Sequence, residues 1–282
     1  MNTNDNINIP DVKTDEKTGV MYRVWEADPG PATTVLLLVH GLGAYGGRWA
    51  YMADVLRKHG ISLYAIELRG FGETKTLKGH VESFNVYFQD IRRLKKIIKF
   101  KHLDAQIIAL GSSMGGLITF DMAALFPKMF DGLICISPAF TSSLKFKLTD
   151  YVKIFVEALF KPKRQFKMPF NSKMCTRDRA YSKRIDRNHR EHRLATSRLL
   201  FDIAIAQVQA QLFKRRITTR TLFLIAEHDE LVIPGSSKKI FRKLKTRDKT
   251  MILYQGMYHG LAIDRGKEVV FSDILQWILS GR

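Results

Sequence analysis

Short apolar runs recur along the chain, separated by longer stretches with helical spacing. Val35-Leu-Leu-Leu-Val39 is apolar without interruption, the pattern of a strand buried on both faces. Ile61-Ser-Leu-Tyr-Ala-Ile66, Ala105-Gln-Ile-Ile-Ala-Leu110, Leu133-Ile-Cys-Ile-Ser137 and the runs at 221–226 and 250–254 read the same way. Residues 20–25 alternate like a half-buried strand. Between these runs, residues 49–59 closed by Gly60, residues 81–100, residues 114–126 ended by Pro127 and residues 268–279 predict helices. Strands alternating with helices specify an α/β fold: a mostly parallel, doubly wound sheet with right-handed crossovers.

One stretch breaks the alternation. Residues 141–216 contain no convincing buried strand and read as helices and loops, a helical cap inserted between a first core part (1–140) and a second (217–282). Within it, Tyr151-Val-Lys-Ile-Phe-Val-Glu-Ala-Leu-Phe160 is apolar on nearly every side, interrupted only by Lys153 and Glu157, which share one face at i,i+4. Such a helix is buried, or it turns one side to lipid or ligand.

Length and composition narrow the class. A chain of 282 residues, 45% hydrophobic and 26% charged, has ample material for a core and is not a disordered or collagen-like chain. Two cysteines, Cys135 and Cys175, make neither a disulfide framework nor a zinc quartet, and a reducing compartment is expected. The net charge of +19 invites anionic partners. Its distribution is uneven: residues 141–216 hold 19 Lys/Arg and 6 Asp/Glu, a net of +13. Cations at Lys161-Pro-Lys-Arg164 directly follow the apolar helix, a pairing suited to an anionic bilayer surface. No run reaches the length of a membrane-spanning helix, and the polar start lacks the features of a signal peptide, so the expected location is the cytoplasm with peripheral membrane contact through the cap. No helix-turn-helix or aromatic RNA-binding signature is present, and nucleic acid is not an expected partner.

The chemistry centres on Gly111-Ser112-Ser113-Met114-Gly115, a G-x-S-x-G pentapeptide. It follows a predicted strand and opens a predicted helix, the context of a nucleophile elbow, in which a tight turn supported by Gly111 and Gly115 exposes the Ser113 hydroxyl. A serine hydroxyl needs an adjacent base and the base an orienting carboxylate. After Ser113 the chain supplies Glu227-His228-Asp229-Glu230 past one strand and Tyr258-His259-Gly260 past the next. Asp229 is the expected acid, with Glu227 and Glu230 competing, and His259 the expected base. His40-Gly41-Leu42-Gly43 follows the earliest buried strand, and the backbone N–H groups of Leu42 and Met114 are the expected oxyanion donors. His40 reads as a structural loop histidine beside Gly41. The remaining histidines, His59, His80, His102, His189 and His192, fall in helical or cap segments where exposure is expected. No metal-ligand spacing and no nucleotide-binding glycine motif occurs, so no cofactor is implied.

These residues resemble those of the α/β-hydrolases, and among them the monoacylglycerol lipase and lysophospholipase group of serine aminopeptidase-like hydrolases. The similarity runs through His40-Gly-Leu-Gly-Ala-Tyr-Gly-Gly-Arg-Trp49, Glu67-Leu-Arg-Gly-Phe-Gly72, the elbow, Cys175-Thr-Arg-Asp178 with Asp186, and Asp229, Leu231-Val232 and His259. Glu67 stands where the group usually has Asp, and Gly260 where Glu is common. The resemblance implies ester hydrolysis through an acyl-enzyme on a small lipophilic substrate with one acyl chain. The alternative it leaves open is a short- or medium-chain carboxylesterase, including the feruloyl type, with the same three residues. A proline iminopeptidase would carry H-G-G-P-G in place of His-Gly-Leu-Gly, and a dehalogenase or epoxide hydrolase would carry Asp at position 113.

Overall fold

The computed structural model describes residues 7–144 and 148–281. The polar start at residues 1–6 and the insertion residues 145–147 lie outside the described residues, as does the Tyr151 side chain of the apolar run. The chain order is β1 (Lys13–Thr14), β2 (Met21–Trp25), β3 (Thr34–Val39), α1 (Ala50–Leu56), β4 (Ile61–Glu67), α2 (Phe84–Lys101), β5 (Gln106–Ser112), α3 (Met114–Leu125) and β6 (Gly132–Ile136). The insertion follows with α4 (Leu148–Phe160), β7 (Gln165–Lys167), α5 (Ser172–Cys175), α6 (Arg179–Arg187), β8 (Leu194–Thr196) and α7 (Ser197–Phe213). The chain then returns through β9 (Thr221–His228), α8 (Pro234–Lys243), β10 (Lys249–Tyr258) and α9 (Lys267–Leu279).

Eight strands form one sheet in the order β1-β2-β4-β3-β5-β6-β9-β10. Pairings from β4 to β10 are parallel, and β1 and β2 add an antiparallel edge. Every residue of β3 is buried because both faces of the sheet are covered. Alternation sends Val35, Leu37 and Val39 into the core with α2 and α3, and Leu36 and Leu38 into the core with α1 and α9. On α2, Tyr87, Ile91, Leu94 and Ile98 form the buried stripe, each step three or four residues on. Full burial of one such aliphatic side chain contributes roughly 1.5–3 kcal/mol.

Topology positions the site. From β3 the chain moves to β4 on one side and then to β5 on the other, so the order reverses at β3/β5. Ligand crevices in open α/β sheets form beyond the carboxyl ends of strands at such a reversal.

Several elements depart from the expectation. The 49–59 helix is a composite: 3₁₀ turns at Gly46–Trp49 and Arg57–His59 flank α1, and Gly60 ends it at φ 73°. Helix α2 begins at Phe84, where the Ser83 side chain accepts from the Asn85 N–H, and not at Val81. Strand β10 runs on to Tyr258, with its pairing to β9 irregular between Tyr254 and Tyr258. The insertion contains a small two-stranded sheet, β7 with β8, whose Ala195 and Thr196 are buried. Glu157 of α4 pairs with Arg164 at 2.7 Å, while Lys153 is exposed. Both cysteines are free and buried.

Candidate active site

Strand β5 ends at Ser112 and α3 begins at Met114, leaving Ser113 to make the whole turn at φ 55°, ψ −120°. A non-glycine residue in this region is strained, and the surroundings hold it there. Its N–H donates to the Ile136 carbonyl at 2.9 Å, and its carbonyl accepts from Leu117 and Ala139 N–H groups at 3.0 Å each. The first turn of α3 lies against the end of β3. A Cβ at Gly115 would collide with the Val39 and His40 carbonyl oxygens, and one at Gly111 with the Gly115 carbonyl. Glycine at both positions is therefore what lets Ser113 sit at the crevice.

The loop after β3 is fixed by His40. Its ring is buried; Nε2 accepts from the Leu68 N–H at 3.1 Å and Nδ1 stands 2.9 Å from the Gly41 carbonyl. Burial pushes its pKa down to about 4 despite the raising effect of the Gly41 hydrogen bond. His40 is thus a neutral ring donating to Gly41. That loop lies against the elbow: a Cβ at Gly41 would stand 3.0 Å from Ser113 Cβ. Leu42 and Met114 line the same cavity as Ser113. Met114 opens α3, so its N–H is among the donors without a partner inside the helix.

Asp229 follows β9 and His259 follows β10. His259 Nδ1 stands 2.9 and 2.8 Å from the two Asp229 carboxylate oxygens. Oδ1 also accepts from the Leu231 and Val232 N–H groups, both at 2.9 Å. The Asp229 side chain is 1% exposed and that of His259 7%. The competing carboxylates stand apart: Glu227 and Glu230 are exposed, and Glu227 accepts from the Gly256 N–H at 2.9 Å. His228 is exposed and stacks on Tyr258.

His259 and Ser113 line one cavity of about 510 Å³. Its far wall is apolar, with Leu144, Ile154, Phe155, Phe170, Leu200 and Phe201 supplied by the insertion. Arg48 is the one Lys, Arg, Asp or Glu side chain lining it among the described residues. Arg48 donates through Nε to Glu191 at 3.0 Å and through a second nitrogen to the other carboxylate oxygen. Burial opposes its charge, but Glu191 outweighs this and raises its pKa. The sequence offered no local signal for this pair, whose members are 143 residues apart. Nor did it reveal the true state of three histidines expected to be exposed. His80 is buried with Nδ1 3.0 Å from Thr196 Oγ1, His102 is half-buried against the Tyr64 hydroxyl at 2.9 Å, and His192 is half-buried against the Gly70 carbonyl at 3.0 Å. Only contacts across the fold decide these positions. His59 and His189 are exposed as expected. Among the described residues, no group of three or more His, Cys, Asp or Glu side chains is arranged to hold a metal ion.

A mostly parallel sheet with a serine on a strained strand-to-helix turn, and a buried Asp and His two and three strands further along, defines an α/β-hydrolase. The family described as serine aminopeptidase, S33, matches residues 30–266, and the chain belongs to it. It is similar to the monoacylglycerol lipase of Mycolicibacterium smegmatis, 24% identical over 93% of this chain and 93% of that protein. It is also similar to the monoglyceride lipase of Mus musculus, 26% identical over 85% of this chain and 79% of the relative. In structure it resembles a soluble variant of monoglyceride lipase from Saccharomyces cerevisiae in complex with a substrate analog. That match has a TM-score of 0.89 and 20% identity, and it covers 100% of this chain and 99% of the other. No described helix is long and apolar enough to cross a membrane.

Proposed function

We propose that this hydrolase cleaves carboxylic esters of single-acyl lipids with an uncharged head group, monoacylglycerols above all, through Ser113, His259 and Asp229. The reading is carried by one observation: Ser113 opens into the same apolar cavity as a His259 ring held by a buried Asp229. The names of the relatives support the substrate class. The charge balance of the cavity supports the head group. Arg48, the one Lys or Arg side chain lining it among the described residues, is already matched by Glu191, which favours an uncharged head group over a phosphate.

In the proposed reaction His259 takes the Ser113 proton as Oγ attacks the ester carbonyl, and the Leu42 and Met114 N–H groups stabilise the oxyanion. The tetrahedral intermediate collapses as His259 returns the proton to the leaving alcohol. Water, deprotonated by His259, then attacks the acyl-enzyme and releases the fatty acid and Ser113. Asp229 holds the imidazole in one tautomer throughout. Residues 141–216 act as the cap, with α4 and α7 presenting an apolar surface to the lipid. Val152, Phe155, Val156, Leu159 and Phe160 are exposed on α4, and Val208 and Leu212 on α7. Lys161, Lys163 and Arg164 adjoin them, a composition suited to peripheral contact with an anionic bilayer at the cytoplasmic face.

A panel of esters tests the reading. Monoacylglycerols with medium or long chains are expected to turn over faster than the matching lysophospholipids and acetyl esters, and Ser113→Ala to abolish turnover. Activity of Ser113→Ala above about a tenth of the parent removes the nucleophile, since loss of such a residue lowers the rate by several orders of magnitude. A strict preference for acetyl or feruloyl esters replaces the lipid substrate by that of a carboxylesterase.

A further inference from the structure

Two stretches of the insertion leave the apolar wall and dock on the loops that carry the reacting groups. The first reaches the histidine loop. The Cys175 carbonyl accepts from the N–H of Gly260, the residue after His259, at 2.8 Å. Thr176 Oγ1 donates to the Ile263 carbonyl at 3.0 Å. Arg177 donates through its backbone N–H and Nε to Asp264 at 2.7 and 2.9 Å, and Asp264 also accepts from the N–H of Tyr258, the residue before His259, at 2.9 Å.

The second reaches the loop after β3. The His192 N–H donates to the Gly43 carbonyl at 3.2 Å, and Gly43 has φ +76° with no room for a Cβ beneath the His192 carbonyl. The His192 ring stacks on Phe71 at 5.2 Å and 2°, and Phe71 meets the His40 ring edge-on at 5.8 Å. Beside them Glu191, its side chain 5% exposed, holds Arg48 with both oxygens. Between the two stretches α5 and α6 are joined by Ser172, whose hydroxyl lies 2.8 Å from Ser182 Oγ and donates to Asp186 at 2.8 Å.

Leu42 therefore lies between His40, fixed from the core, and Gly43, whose carbonyl accepts from the insertion's His192, while Arg48, further along the same loop, is held by Glu191. We infer that residues 175–193 form a brace that positions the oxyanion loop and the histidine loop together, with Glu191 a positioning residue for the Leu42 amide. The inference rests on the roles proposed above for Ser113, His259 and Leu42. A donor displaced by about 1 Å from its working position lowers turnover by as much as a hundredfold, even when nothing that touches substrate has changed.

The test uses the full-length protein with p-nitrophenyl butyrate and a trifluoromethyl ketone, whose adduct with a serine hydroxyl places an oxyanion where the transition state has one. In Glu191→Ala, kcat is expected to fall about tenfold or more with KM within about twofold of the parent. Ketone affinity should weaken by the same factor as kcat/KM, because both report oxyanion stabilisation. Glu191→Gln keeps a carbonyl oxygen for the Arg48 Nε–H and should recover part of the loss; it decides the question if the alanine variant does not fold. Parallel losses in either folded variant support the brace. Values of kcat/KM and ketone affinity both within about twofold of the parent overturn it, as does a change confined to KM. Failure of the underlying reading looks different: Ser113→Ala then stays active whatever Glu191 does.

Discussion

Both carboxylate oxygens of Asp229 lie within 2.9 Å of His259 Nδ1, while two backbone N–H groups, of Leu231 and Val232, converge on one of them. A carboxylate held this way has little freedom to rotate away from the ring. Its contact fixes the proton on Nδ1, which leaves Nε2 as the nitrogen free to accept one.

Exchange of Asp229 for Asn tests that arrangement with almost no change of shape. The amide can present an N–H to Nδ1 and favour the wrong tautomer. Asp229→Asn should lower kcat for p-nitrophenyl butyrate by about 10⁴ with little change in KM, as expected for loss of the orienting carboxylate. Initial rates over a range of ester concentrations read both quantities.

Asp121 gives a prediction about stability and pH. This carboxyl is buried in α3, both oxygens lack a hydrogen-bond partner, and burial pushes its pKa up to about 8. Its folded-state value lies above the unfolded one, so between about pH 4 and pH 8 the folded chain binds more protons and stability falls as pH rises. Asp121→Asn removes that dependence. Its melting temperature should approach the parent's near pH 4 and exceed it by a margin that grows up to about pH 8. The slope is at most about 1.4 kcal/mol per pH unit. Thermal melts at fixed ionic strength across pH 5–9 check the sign.

The apolar patch on α4 gives a third. Leu159 is 61% and Phe160 78% exposed, and neither lines the cavity. A double Leu159→Asp, Phe160→Asp variant should keep its rate on dissolved p-nitrophenyl butyrate and lose binding to vesicles containing phosphatidylserine. Parent binding should weaken as salt is raised from about 10 mM to about 150 mM, where screening shortens to about 8 Å. Vesicle sedimentation measures both effects.

Gly115→Ala addresses the elbow. The new methyl group would meet the carbonyl oxygens of Val39 and His40, and backbone on both sides cannot yield cheaply. The variant should lose stability by about 1–3 kcal/mol, as overpacked cores do, and most of its activity. Chemical denaturation and active-site labelling with a fluorophosphonate measure the two losses separately.

Much of this fold is written locally. The β3 and β5 runs are continuous because both faces are covered, and the pentapeptide around Ser113 sits between strand and helix, so pattern and motif point to the same place. Asp229 and His259 were legible because each follows a strand of the same sheet. Helix α8 was not, because Pro-Gly-Ser-Ser-Lys-Lys-Ile-Phe-Arg-Lys buries only Ser237 and Ile240 and carries no apolar stripe. Its start signal is a single Pro at the first helical position. Glu191 and His192 were equally silent: they look like surface residues until the chain brings them against Arg48 and Phe71.

The insertion leaves the sheet after β6 and rejoins it at β9, and these two strands are direct neighbours, with Leu133 opposite Thr221. The whole of it is a single crossover, so a chimera could splice foreign chain between Ile136 and Thr221 and keep the strand ladder whole. Such a transplant would exchange more than the helices with exposed apolar side chains. It would also discard the partners of Gly260 and Arg48. A donor segment chosen only for its affinity for acyl chains would arrive without the struts that the host's two loops depend on.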